Sequence, residues 1–332
     1  MPYPLWKTTR SSARRFLGIA VLLHSGAAWA FGIETLQITV PMRQDIQLEH
    51  HSGDLLKNRL QYQVAAHYGL VILESGPTGT LGIHGLAGSG GSYTSQWNTA
   101  YDLIDQSPGT QHFHMRQIYL QNDLHGWRSQ IGVIPPVKGK VSNTSLDRDG
   151  WIRGARIVAP IHDTGQFEVV FGAIDHLDDP NAFQAWEEWN YAEVEWTQHW
   201  TETLRIETSY VLLEEQSVLR GEVRGNWDTK MDIPMELSAE ISNNLTESAW
   251  AYDLSARTTI RSVTVVLEVS HIPENFGLLG ELYNDFFTLG HLGMVALKGP
   301  IGSQNTLNWF FKGYAGESEL RGNAGLGYRF TL

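Results

Sequence analysis

Cysteine is absent from all 332 residues. No disulfide can staple this chain, and no thiolate can serve it as nucleophile or metal ligand. Charge is sparse: Asp, Glu, Lys and Arg together make 18% of the sequence, against ~25% in an average soluble domain. A basic surplus is missing too, with 24 Lys and Arg against 36 Asp and Glu, which argues against a nucleic-acid partner. Nor is there a long apolar run. The most concentrated one, "FLGIAVLL" at 16–23, falls well short of the ~20 residues that a membrane-spanning helix needs.

That short run has the setting of an address. Lys7, Arg10, Arg14 and Arg15 precede it, and Ala28-Trp29-Ala30 follows as a small-x-small site. The pattern predicts a secretory signal peptide over 1–30, cleaved after Ala30. Arg14-Arg15 has a twin-arginine look, but the rest of the chain suits the general export route better. Four of the 24 basic residues and none of the 36 acidic ones fall in this segment, so residues 31–332 carry −16. An exported chain without cysteine must be held together otherwise, and a closed hydrogen-bonded sheet would do it.

What fills 31–332 is alternation. Leu204, Ile206, Thr208, Tyr210 and Leu212 oppose Arg205, Glu207 and Ser209. Ile233, Met235, Leu237, Ala239 and Ile241 oppose Glu236, Ser238, Glu240 and Ser242, and Trp250, Tyr252, Leu254 and Ala256 oppose Ala251, Asp253, Ser255 and Arg257. The final run, "GLGYRFTL", sets Leu326, Tyr328, Phe330 and Leu332 against Gly327, Arg329 and Thr331. A period of two means strands with one apolar face.

Either a dry protein core or lipid could cover that face. Three features favour lipid. Aromatics such as Tyr68, Trp127, Trp151, Trp196, Trp200, Trp250 and Tyr328 cap the apolar sets, as interfacial girdles do. The opposite faces mix Arg with Glu, as a wet lumen does. The pattern also recurs over more chain than one soluble core could bury. Backbone groups in lipid must all be paired, so the sheet must close on itself. The expected fold is therefore an all-β, transmembrane antiparallel β-barrel of about 16 strands, 14 being possible, with the last strand pairing the first.

The expected strands are 35–48, 58–73, 79–88, 112–122, 126–135, 151–161, 166–176, 190–200, 203–213, 217–226, 233–242, 249–259, 262–271, 290–298, 305–315 and 320–332. The long connections, 89–111, 136–150, 177–189 and 272–289, all follow odd-numbered members of this series. The even-numbered ones are followed by short turns such as "NDLHG" and "HDTG", and one-sided long loops are a barrel signature. The parity requires 35–48 to be a strand despite Pro41.

The stretch "HFHMRQIYLQNDLHGWRSQIGVIPPVKGKVSNTSLDRDGW" resembles the fourth and fifth strands and third-loop entry of the general bacterial porins, through Arg116, Tyr119, Gly126, Gly132 and Pro135. Val133 stands where that family carries Arg. The resemblance implies an outer-membrane channel of a Gram-negative bacterium, in contact with lipid and lipopolysaccharide, passing small hydrophilic solutes and able to form a homotrimer. It implies that 136–150 folds into the bore as a constriction loop, with Asp147 and Asp149 as acids at the narrow point. Lys138, Lys140 and Arg148 lie on the same loop, so its charge is close to balanced.

A channel needs charges that set a field across its bore. The polar parity offers Arg59, Arg128, Arg205, Arg220, Arg224, Arg257, Lys312, Arg321 and Arg329. Its acids are Glu168, Glu193, Glu195, Glu207, Glu222, Glu236, Glu240, Asp253 and Glu268. With Arg116, Lys138, Lys140, Asp147 and Asp149, the candidates for the lining or constriction are Arg128, Arg205, Arg220, Arg224, Glu236, Glu240 and Arg257. The plainer reading is that these groups pair across strands and merely solvate the wall. The net charge of −16 points to a mild cation preference.

"DHLDDPNAFQAWEEWN" at 175–190 is the most acidic loop. It matches no defined calcium loop and reads as solvated surface. "GSGGSY" at 88–93 lacks the Lys-Ser/Thr of a phosphate loop. Asp175-His176 points to opposite faces of a strand, so no catalytic pair is expected, and nothing calls for a cofactor. The alternatives to a diffusion channel are a non-conducting structural or adhesive barrel and a specialised channel for an anionic polysaccharide or organic acid.

Overall fold

The computed structural model describes residues 28–75, 79–136, 146, 149–162, 164–228, 234–282, 289–302 and 306–331. Eighteen strands are found there, all in one antiparallel sheet. The first five are β1 (Ala28–Glu49), β2 (Leu55–Tyr62), β3 (Ala65–Ser75), β4 (Gly79–Ser89) and β5 (Asn98–Asp102). β6 (Phe113–Leu124), β7 (Trp127–Ile134), β8 (Ile152–Ile161), β9 (Gly165–Ala173) and β10 (Tyr191–His199) follow. Then come β11 (Leu204–Leu213), β12 (Gln216–Asp228), β13 (Pro234–Asn244) and β14 (Ala249–Ile260). The series ends with β15 (Val263–Ile272), β16 (Gly290–Ile301), β17 (Leu307–Gly316) and β18 (Glu319–Thr331).

The sheet closes on itself. β18 pairs along β1 from Glu49↔Glu319 to Gln37↔Thr331. On its other side β1 pairs first with β3 and then with β2, so β2 and β3 together form one interrupted stave. β5 lies against β2 alone, while β4 pairs directly with β6. The result is a closed barrel of 16 staves, in the order expected from the alternation. β5, inside the long connection after β4, was not expected.

Pro41 explains the broken stave. It sits in β1 opposite Gly327, and its carbonyl accepts from Gln63 at 2.9 Å. In an antiparallel ladder N–H and C=O of one residue point the same way, so the missing proline N–H faces the β2/β3 side. The stave is interrupted there, at Gln63 and Val64. The freed groups find other partners: Val64 N–H donates to Ser89 Oγ and Val64 C=O accepts from Ser89 N–H, both at 2.9 Å. The weak strand is therefore real. It begins at Ala28, where Ala28 and Trp29 pair with Glu74 and Leu73. The rest of the candidate signal segment lies outside the described residues.

Burial alternates as the sequence does. Val194, Trp196, Tyr210, Leu212, Leu219, Val223, Trp250, Leu254, Leu267, Val269, Leu326 and Phe330 are exposed, while on β10, β11 and the first half of β14 the opposite parity is mostly buried. Exposed Leu and Val beside buried Glu and Arg invert a soluble protein, and only an apolar surrounding makes that arrangement stable. Trp127, Trp196, Trp227 and Tyr328 lie toward the short-turn end, while Tyr210, Trp250 and Tyr252 lie toward the other. Trp151 corrects the expected girdle. It is buried, its Nε1 donates to the Asp175 carbonyl at 2.9 Å, and its ring packs on Tyr93.

The bore is not filled uniformly. Toward the long-loop end the inward parity becomes apolar: Val211, Leu213, Val218, Ala249, Ala251 and Ile272. Loop residues pack onto them, including Leu146, Trp151, Phe276 and, on the one-turn helix α1 (Leu278–Glu281), Leu279. These residues form a dry cluster inside the mouth. The sequence signal for it was faint: "YVLLEEQSVL" loses its alternation where the strand ends.

Candidate functional site

Arg116 joins two loop segments to β6. By strict alternation it should share the lipid-facing parity of Ile118. The register shifts between Leu86 and Ala87, however, so Arg116 is an extra, bulged residue between Met115 and Gln117. A bulge re-aims side chains, and both Arg116 and Gln117 are buried. The guanidinium donates to the carbonyls of Ser92 at 2.8 Å, Asp149 at 2.9 Å, Tyr93 at 3.1 Å, Ser89 at 3.2 Å and Gly90 at 3.5 Å. It also lies over the Trp151 ring. One fixed planar fork thus ties the 89–93 segment to the end of the loop before β8.

Gln117 adds a second tie, its amide donating to the Gly150 carbonyl at 2.6 Å. Asp149 is buried in the interior with Arg116 on its backbone. On its side-chain face, Gln63 Nε2 reaches Asp149 Oδ2 at 3.4 Å and Gln96 Oε1 at 3.0 Å. Of the connection after β7, Leu146, Asp149 and Gly150 are among the described residues, and all three are buried. Lys138, Lys140 and Asp147 lie outside the described residues.

Next to this junction is a cavity of about 410 Å³. Gln96 and Asp149 border it from the loops, Gln37, Thr39, Gln63 and His67 from β1 to β3, and Lys298, Asn308 and Arg329 from β16 to β18. Nearly every group able to orient water is present: amides, an imidazole, a carboxylate and two cations. Lys298 and His67 were not singled out by sequence. Their parity alone could have found them, since Lys298 pairs with inward Thr264 and His67 with inward Gln37.

The other expected lining residues lie elsewhere in the bore. On β11 to β14, Glu207, Glu222, Glu240 and Asp253 stand directly opposite one another in a lateral row, each at most 3% exposed. Like charges placed so would repel, and arginines on the rows to either side offset them. Arg205 and Arg224 pair across one row, with Arg224 reaching Glu222 at 3.0 Å and Glu236 at 3.6 Å. In the other row Arg220 donates to Ser209 Oγ at 3.0 Å and lies 3.7 Å from Glu193. Arg257 reaches Glu236 at 3.9 Å, and Arg156 reaches Glu168 at 2.8 Å. Arg128, at the short-turn end, pairs with Asp123 at 2.7 Å. Arg128, Arg205, Arg220, Arg224, Glu236, Glu240 and Arg257 therefore all face inward, Arg128 on β7 and the other six on the β11 to β14 wall, and none of them borders the cavity. Ion pairs between adjacent strands join Arg224 and Arg257 to Glu236 and Arg128 to Asp123.

Arg153 is on the outward parity, beside exposed Ile131 and Phe171, yet it is only 1% exposed. Residues 174–190 fold back over this stretch of the outer wall. Arg153 Nε donates to Asp175 Oδ1 at 2.7 Å, and its terminal nitrogens reach the carbonyls of Asn181, Ala182 and Gln184. Ala182 N–H donates to the Met115 carbonyl on β6 at 2.7 Å. The acidic loop is thus an exterior strap, with one of its carboxylates neutralised by the wall it covers.

No protein-family model matches the chain, and no curated protein matches it. Solved structures do. A mutant of the Rhodopseudomonas blastica porin is similar with a TM-score of 0.59 and 9% identity, over 90% of this chain and 100% of that one. OpdQ of Pseudomonas aeruginosa is similar with a TM-score of 0.58 and 9% identity, over 90% and 97%. At this identity the likeness is one of fold, and the fold is porin-like.

Proposed function

We propose that the chain is an outer-membrane channel for the passive diffusion of small hydrophilic solutes or ions, exported by a cleaved signal over 1–30. The observation that carries the reading is the polar cavity inside a closed barrel, where Gln96 and Asp149 face Lys298 and Arg329. Solutes would pass on the β1–β3 and β16–β18 side, while the paired charges of β11 to β14 stiffen the opposite wall. Two cations against one carboxylate at the cavity outweigh the distant acidic excess, because the field nearest a permeating ion acts through the least solvent. The proposed preference is thus weakly for anions, opposite to the expectation from net charge. A homotrimer, contact with lipid and lipopolysaccharide, and the absence of catalysis belong to the same proposal.

The dry cluster in the mouth favours a second reading, a structural barrel that does not conduct. Planar-bilayer recording separates the two. Discrete unitary currents from the purified, folded barrel support the channel. A silent barrel, with its heat-modifiable gel mobility intact, supports the structural reading and ends the first.

A further inference from the structure

Three side chains from neighbouring staves meet on the outer wall at the long-loop end. His271 on β15 stands directly opposite His291 on β16, and their rings stack with centroids 4.1 Å apart. Glu317 lies in the turn between β17 and β18. Its Oε1 accepts from the His291 backbone N–H at 3.0 Å, which holds the carboxylate beside the two rings. One ligand atom from each residue lies within 4.8 Å of the others.

Two details set this cluster apart from an ordinary interfacial girdle. His271 Nδ1 is shielded from solvent and has no hydrogen-bond partner, although a buried polar atom is normally satisfied. The residue before His291 is Gly290, with φ of +88°, where a Cβ would come within 2.9 Å of the Glu317 carboxyl carbon. Glycine thus permits both the left-handed backbone and the seat of the carboxylate.

We infer that His271, His291 and Glu317 form a binding site for a divalent transition-metal ion of the Zn²⁺ class, on the exterior of the barrel mouth. Two imidazole nitrogens and one carboxylate oxygen suit a borderline-soft ion and leave a fourth position for water. Around one tetrahedral Zn²⁺ the donors would stand roughly 3.4 Å apart. Half-exposed His271 and exposed His291 and Glu317 can turn through the remaining distance. Bound metal would tie β15, β16 and the β17–β18 turn together. The other grouping of this kind among the described residues, Asp175, His176 and Glu187, already has its cation: Arg153 donates to Asp175 Oδ1, while Asp175 Oδ2 accepts from the Glu187 backbone N–H. The inference rests on the fold and not on conduction.

The test is Zn²⁺ titration of the detergent-folded full chain by calorimetry, with Co²⁺ absorption as a report on coordination. The expected result is one Zn²⁺ bound through these residues and intense visible bands with Co²⁺. Affinity should fall more than the roughly tenfold that losing even an outer-shell partner produces, both in the double variant H271A/H291A and in E317Q. His50→Ala with His51→Ala, a stacked pair elsewhere, should leave binding unchanged. Unaltered affinity in E317Q and H271A/H291A, or Co²⁺ spectra of the free aqua ion, would overturn the site. Gel mobility identifies barrels that failed to fold. If H271A/H291A is one of them, E317Q, altered only in an exposed turn, decides alone.

Discussion

Replacing Arg116 by alanine tests whether one side chain sets the aperture. Arg116 is 1% exposed and serves five carbonyls, of which Ser92, Asp149 and Tyr93 lie at 2.8, 2.9 and 3.1 Å. A hydrogen bond from a charged donor contributes about 1.5–3 kcal/mol. The three short ones are not additive, but each carbonyl left buried without a donor costs about 1–3 kcal/mol, so a loss of about 3–5 kcal/mol in all is expected. The barrel ladder does not depend on this residue, so the cost falls on the 89–97 segment and on Asp149. Their open population should rise by roughly two to four orders of magnitude. In single-channel recording the variant should show larger or flickering unitary currents, and protease should cut within 90–97 where the parent resists. Arg116→Lys, with a point charge instead of a planar fork, should fall between the two. A variant R116A with parental current, noise and protease resistance would refute the clamp.

Neutralising Lys298 and Arg329 together (K298M/R329Q) should move the reversal potential in a salt gradient toward cations, and D149N should move it toward anions; unchanged potentials would place the selective field elsewhere. The exterior strap should come loose in R153A, because Asp175 loses a buried partner whose removal costs about 3–5 kcal/mol. Chymotrypsin should then cleave near exposed Phe183 and Trp186 while gel mobility of the barrel is kept. Around β5, the hydrogen bond from Arg59 holds the Asp102 carboxyl below the usual carboxylate range, helped by the backbone N–H groups of Ile104 and Asp105. A lowered native value means that the stabilisation is full above the unfolded value of about 3.9 and fades as pH falls through the native one. Proteolysis at 103–108 should therefore rise only in strong acid, and D102N should abolish that dependence.

Alternation alone determined much of this protein. A period of two fixes which side of a strand each residue occupies, and lipid on one side forces the sheet to close. The number of staves, their order, the side bearing long loops and the inward placement of Glu207, Arg220 and Arg257 all follow from that. Tertiary structure decided whatever breaks the period. The bulge at Arg116 turns a residue of lipid-facing parity into the bore, and its cause is the register against β4, which no local pattern carries. Arg153 also sits on the outward parity and is buried by residues 174–190 crossing the wall, a path set by contacts far apart in sequence. The dry mouth and the cavity beside Asp149 are likewise products of where loops come to rest. A strand's faces are written in its own residues because pleating is local, while a loop's destination depends on surfaces that exist only after the barrel has closed.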